Sequence, residues 1–208
     1  MMDNRNTKHI SEIRGYLIQS SETKRRTSEE CAESIAFGAG MIAETFLAGA
    51  KVLLCGNGGS AADCQHMATE FVSRLTKDFE RPGLPAIALT TDSSFLTAFS
   101  NDTGFEGIFE RQVQTLGKPG DLLIGISTSG NSLNVIRAVE AARTAGIRTL
   151  VLTGQGGRLK DLSDAAIAIP SDDTQHIQEA HLAVEHLLCH LAERQVFTED
   201  HSSRTATP

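Results

Sequence analysis

Between residues 51 and 170 the chain alternates short unbroken apolar runs with longer stretches whose apolar positions recur every three or four residues. The runs are KVLLC (51–55), PAIALTT (85–91), DLLIGIS (121–127), IRTLVLT (147–153) and AAIAIP (165–170). Each is short, aliphatic and non-alternating, the pattern of a strand covered on both faces in a parallel sheet. The stretches between them predict helices near 60–76, 93–99, 105–116, 132–145 and 157–163, and a last helix from about 174 to 196. Ahead of the first run, residues 8–25 and 28–48 carry helical periodicity without a proline. Thr27 or Ser28 is a candidate cap for the second of these, with Glu30 behind it. The final TEDHSSRTATP is small and polar, a composition expected to be disordered.

A β-α-β-α order implies right-handed crossovers and an α/β fold: a five-stranded parallel sheet with helices on both faces. In the common flavodoxin-like order 2-1-3-4-5, ligands sit outside the carboxyl ends of strands 1 and 3, where the winding reverses. This arrangement would place GNGGS (56–60) beside STSGNS (127–132).

GNGGS runs from a strand into a helix, with Ser60 the expected N-cap and Asp63 three residues on as a near capping box. Its glycines permit positive φ and a close approach of backbone to ligand. The second loop offers Ser127, Thr128, Ser129 and Ser132 ahead of LNVIRAVEAARTAG, whose Gly146 suits the C′ position. A phosphate there would meet backbone N–H groups, hydroxyl donors and the positive end of a helix dipole, without the lysine of a Walker loop. Either loop alone could be an ordinary βα turn, but six consecutive small polar residues exceed what a tight turn requires. A dinucleotide reading is weaker: neither loop matches GxGxxG, and no acidic residue ends the second strand, where Asp92 already lies in the turn.

His66 and Glu70 stand four residues apart, about 40° around a helix, and share one face. On the last helix Gln178 and His186 are eight apart, about 80° in angle and about 12 Å along the axis. On one straight helix those two would not easily reach a single point, unless a ligand arrives across an interface or the glutamine extends along the groove. Five of the seven histidines are His66, His176, His181, His186 and His190, and four of these crowd the last helix. Metal binding and simple surface enrichment both explain the crowding, and an exposed His–Glu pair by itself adds only tenths of a kcal/mol.

A formal charge of −7 and a pI near 5.5 argue against a broad nucleic-acid footprint or a polybasic membrane patch, and leave small anionic substrates open. With 208 residues and 40% apolar content, the chain suits one well-buried unit. The segment MMDNRNTKHISEIRGYL lacks the apolar core of a signal peptide, and no run approaches the ~20 apolar residues of a membrane span, so a cytoplasmic location is expected. Cys31, Cys55, Cys64 and Cys189 show no CxxC spacing, which suggests buried or idle thiols rather than a disulfide framework or zinc ribbon.

Taken together, CGNGGSAADCQHMATEF, SNDTGFEGIFERQV, PGDLLIGISTSGNSLNVIRAVEAAR and HIQEAHLAVEHLL resemble the phosphoheptose isomerases, a bacterial branch of the sugar-isomerase (SIS) domain family. The match runs from about 35 to 197, implying an N-terminal helical segment (1–34), a SIS domain (35–197) and a tail (198–208). The resemblance implies interconversion of sedoheptulose 7-phosphate and D-glycero-D-manno-heptose 7-phosphate through an enediolate, a step toward surface polysaccharide. It also implies a homotetramer with active sites between subunits. By the same resemblance, substrate contacts fall on Asn57, Gly58, Gly59, Glu70, Asn101, Asp102, Ser127, Thr128, Ser129, Ser132 and Gln178. Ligands for Zn²⁺ fall on His66, Glu70, Gln178 and His186, and the base and acid on Glu70 and His186. His181 is shared by the family and is carried over with no catalytic role. A related non-catalytic branch that binds a replication initiator protein shares the loops and the fold but lacks the metal-site glutamate and the last histidine; this sequence has both. An isomerase acting on another phosphosugar is a further reading that the loops do not separate.

Overall fold

The computed structural model of the chain describes residues 4–204. Two helices open it, α1 (Asn4–Glu30) and α2 (Ala32–Leu47). They meet at Cys31, whose N–H still bonds to Thr27 O at 2.9 Å, so the break is a kink rather than a loop. The expected gap at 26–27 and the hydroxyl cap are therefore corrected. Thr27 Oγ1 bonds back to Thr23 O (2.8 Å) and Ser28 Oγ to Arg25 O (2.6 Å), both within α1, and Cys31 makes no side-chain cap bond.

Then follow β1 (Val52–Gly56), α3 (Gly59–Val72), β2 (Ala86–Ala88), α4 (Ser93–Asp102) and a 3₁₀ turn at Phe105–Gly107 leading into α5 (Ile108–Leu116). The chain continues with β3 (Leu122–Ser127), α6 (Leu133–Thr144), β4 (Arg148–Gly154), α7 (Leu159–Leu162), β5 (Ala165–Ile169) and α8 (Thr174–Arg204). The five strands pair in parallel in the order β2-β1-β3-β4-β5, as the sequence pattern predicts. The last helix passes the expected end at 196, and the part of the expected tail at 205–208 lies outside the described residues. No helix among the described residues is long and apolar enough to cross a membrane.

Strand side chains alternate between two cores, because successive Cβ atoms point to opposite faces. Val52, Leu54, Leu122, Ile124, Ile126, Leu150, Leu152, Ile167 and Ile169 join α2, α3 and α8 on one face. Leu53, Cys55, Leu123 and Val151 join α5 and α6 on the other. Double coverage is why the runs read as continuously apolar; each buried aliphatic side chain contributes roughly 1.5–3 kcal/mol. All four cysteines are buried and free, and burial pushes the Cys55 thiol up to about 12. A polar latch ties α1 to α8: Tyr16 Oη donates to Glu179 Oε1 at 2.6 Å, and Ser20 donates to the second carboxylate oxygen.

Candidate active site

The first loop leaves β1 through Asn57 and Gly58. Gly58 takes φ +56°, a backbone conformation that a Cβ disfavours, and serves as the N-cap of α3. Its carbonyl accepts from Ala61 N (3.1 Å) and Ala62 N (3.3 Å). The expected Ser60 cap is thus corrected: Ser60 is buried inside the first turn, and no side-chain cap bond forms. Asp63 closes no capping box either, since its Oδ2 accepts from Gln178 Nε2 at 3.3 Å. The turn at Gly58 starts the helix earlier, and Asp63 is left to bond to Gln178 on α8.

The second loop gathers hydroxyls. Ser127 Oγ lies 2.9 Å from Ser132 Oγ and 3.4 Å from Ser129 Oγ, and Ser129 Oγ accepts from Asn131 N at 3.2 Å. Ser132 stands at the N-cap of α6 but turns its hydroxyl to Ser127 rather than to a helix amide. Thr128 is half-buried between them. The two loops are joined by a reciprocal amide pair: Asn57 Nδ2 donates to Asn134 Oδ1 (2.9 Å), and Asn134 Nδ2 returns to Asn57 Oδ1 (2.8 Å). The result is a cluster of neutral donors at the reversal point of the sheet, a chemistry suited to an anion.

Asn101 and Asp102, on the last turn of α4, are exposed and bond to each other at 2.8 Å. Among the described residues neither makes a hydrogen bond to the two loops.

Helices α3 and α8 lie side by side and carry the remaining candidates. His66 Nε2 is 2.8 Å from His186 Nε2, and Glu70 Oε1 is 3.7 Å from His66 Nε2. The short contact between ring nitrogens requires one imidazole to present N–H and the other a lone pair. The Glu70 side chain is 16% exposed, accessible yet partly shielded from water. Gln178 sits further toward the loop: its amide bonds to Asp63 and packs against Gly59, where an added Cβ would lie 1.9 Å from Nε2. Gln178 and His186 meet α3 at Asp63 and His66, positions about one helical turn apart.

Behind this surface lie buried ionisable groups, among them Glu185 and Glu193, for which the residue pattern gave no expectation. Glu185 is fully buried, neither of its oxygens has a hydrogen-bond partner among the described residues, and burial, helped by the nearby Asp63, raises it to about 8. Burial likewise pushes the Asp63 carboxyl up, against the opposing pull of the Gln178 amide and His66. Glu185, like Asn134 and Glu193, occupies a core-facing position of an amphipathic helix; that misplaced polarity was the signal available in the sequence.

His181, also buried, has Nε2 3.1 Å from Thr153 O, which makes Nε2 the protonated nitrogen because a carbonyl only accepts. Burial lowers it from 6.5 to about 4. Between those values the unfolded chain binds the proton and the folded chain does not. Stability attributable to His181 is therefore complete above about pH 6.5 and is lost as pH falls toward 4, by up to ~3 kcal/mol. Thermal unfolding of the parent and His181→Gln from pH 4 to 7.5 checks this. The difference between the two melting curves should shrink or reverse as the pH falls; a constant difference would exclude it.

The fit to a divalent metal is partial. Two ring nitrogens face each other beside a carboxylate, and their 2.8 Å separation is slightly shorter than the roughly 3.3 Å that two ~2.0 Å bonds to tetrahedral zinc would span. Among the described residues no group of three or more His, Cys, Asp or Glu is spaced to hold a metal ion. A glutamine falls outside those residue types, and Gln178 is engaged with Asp63.

A SIS-domain family model matches residues 15–154. A phosphoheptose isomerase of Roseiflexus sp. strain RS-1 is 55% identical over 181 residues, covering 86% of this chain and 91% of its own length. Among solved structures, a phosphoheptose isomerase from Francisella tularensis superposes with a TM-score of 0.86 at 37% identity, over 89% of this chain and 98% of that one. Another, from Neisseria gonorrhoeae, gives 0.83 at 38% identity, over 88% and 97%. With the loops, the helix pair and these similarities converging, the chain belongs to the SIS-domain family and, within it, to the phosphoheptose isomerases.

Proposed function

We propose that this chain interconverts sedoheptulose 7-phosphate and D-glycero-D-manno-heptose 7-phosphate, supplying a heptose precursor for surface polysaccharide. The observation that carries the reading is the meeting of His66, Glu70 and His186 on two adjacent helices, with α3 starting at the loop that Asn57 ties to α6.

Aldose–ketose exchange removes a proton from the carbon beside the carbonyl and returns one to its neighbour, through an enediolate. Glu70 is the base for the carbon-bound proton, and His186, hydrogen-bonded to His66, moves protons among the substrate oxygens. Ser127, Thr128, Ser129 and Ser132, with the backbone at Asn57, Gly58 and Gly59, hold the phosphate end, and binding there orients C1 and C2. Asn101 and Asp102 are assigned to sugar hydroxyls on the resemblance alone. His66, Glu70, Gln178 and His186 would hold Zn²⁺, Gln178 after leaving Asp63. When bound, the metal supplies a Lewis acid for the carbonyl oxygen.

The active form is proposed to be a cytoplasmic homotetramer with sites between subunits. Exposed Ile13, Leu17 and Ile18 on α1 and Phe37 on α2 support an apolar face covered by another copy, and four free thiols suit a reducing compartment. Purified protein given sedoheptulose 7-phosphate should yield the aldoheptose product, with turnover reduced by a chelator, while fructose 6-phosphate and ribulose 5-phosphate remain unchanged. Light scattering should give the mass of four copies. No product from any of the three sugars would leave a non-catalytic SIS-domain binder instead.

A further inference from the structure

Arg81 lies in the connection between α3 and β2, with its side chain 1% exposed. Its guanidinium makes three kinds of contact at once. Nη2 donates to Glu70 O at 2.7 Å, Nη1 to Phe71 O at 2.8 Å and Pro82 O at 3.0 Å, and Nε to Glu193 Oε2 at 2.9 Å. Glu193 is equally buried and lies on α8, seven residues or about two turns beyond His186 and on the same face.

The last carbonyls of a helix have no donor within the helix. Arg81 supplies donors to two of them in α3, and Leu84 N adds 3.0 Å to Phe71 O. The planar fork of arginine can serve two carbonyls and a carboxylate in fixed directions, which a lysine ammonium cannot. A buried ion pair adds little net stability over an apolar pair of the same shape, so its effect on geometry is the informative one.

We infer that Arg81 is a positioning residue for the isomerisation: by gripping the Glu70 carbonyl and the Glu193 carboxylate together, it sets how Glu70 on α3 stands relative to His186 on α8. The inference rests on the isomerase reading of the site. Neither Arg81 nor Glu193 touches the substrate loops or the imidazole pair, so the effect acts through the backbone.

The test compares the full-length parent with Arg81→Lys and with Arg81→Met/Glu193→Met, the latter removing both charges so that no lone charge is left buried. Steady-state kinetics on sedoheptulose 7-phosphate, normalised to folded protein by circular dichroism, is combined with hydrogen exchange of the amides of residues 68–73. The expected result is a fall in kcat of at least about 10-fold in both variants, with KM changed less than about threefold. Exchange should be faster at 68–73 and unchanged in β3 and β4. Folded variants with kcat within twofold of the parent, or with kcat and KM displaced together, overturn the inference. If the parent turns over no sugar phosphate, the isomerase reading fails on its own account. Exchange then decides whether Arg81 holds the last turn of α3: acceleration confined to 68–73 supports it, and no change overturns it.

Discussion

Glu70→Gln is expected to lower turnover of sedoheptulose 7-phosphate by about 10³-fold while the protein stays folded. Glutamine has nearly the shape of glutamate and can still reach His66, but it cannot take a proton from carbon. The side chain is 16% exposed, and the contact it makes is the 3.7 Å approach to His66 rather than a buried ion pair. Arg81 grips the Glu70 carbonyl, which the substitution leaves in place, so the helix end should survive. A melting temperature within a few degrees of the parent, with kcat reduced and KM little changed, is the predicted pattern. A variant retaining more than a tenth of parental kcat would remove Glu70 from the role of base.

Gly59→Ala should lower kcat/KM by about 10²-fold without loss of stability. The new Cβ would lie 1.9 Å from Gln178 Nε2 and 2.6 Å from its Cδ, distances no pair of atoms sustains. The obstructing atoms are the flexible end of a side chain, so the glutamine swings away while the backbone holds. Gly59 opens α3 with no positive φ of its own, and alanine is the better helix former there. The cost therefore falls on the site: Gln178 leaves Asp63, and the approach between the first loop and α8 is blocked. Kinetics and thermal unfolding of the same preparation check both halves. Unchanged kcat/KM would show that Gln178 plays no part in turnover, whereas a large drop in melting temperature would show that the close approach serves the fold.

Much of the architecture was legible because both faces of this sheet are covered. Five aliphatic runs without alternation have few other ways to be buried, and the β-α-β-α succession suits the common order 2-1-3-4-5 that the sheet adopts. Helix ends were less legible. The helix expected to reach 76 stops at Val72, where Arg81, nine residues further on, takes the last carbonyls. The run expected over 85–91 forms only a three-residue edge strand: Ala86 and Ala88 pack on the core shared with α3, while Ile87, pointing to the other face, is 40% exposed. Ser60 reads as a cap by residue type, yet the turn at Gly58 takes that place.

The sequence by itself determined the layers, the parallel order, the two loops at the reversal point and the residue types available for proton transfer. These follow from periodicity and local backbone preference, which act over a few residues. Tertiary structure alone decided that His66 and His186 face each other directly at 2.8 Å, that Gln178 turns to Asp63, that Asn134 locks one loop to the other and that Arg81 joins Glu70 to Glu193. Those pairings span 11 to 120 positions of sequence and depend on how α3 and α6 pack against their neighbours, on angles and distances that no local preference encodes.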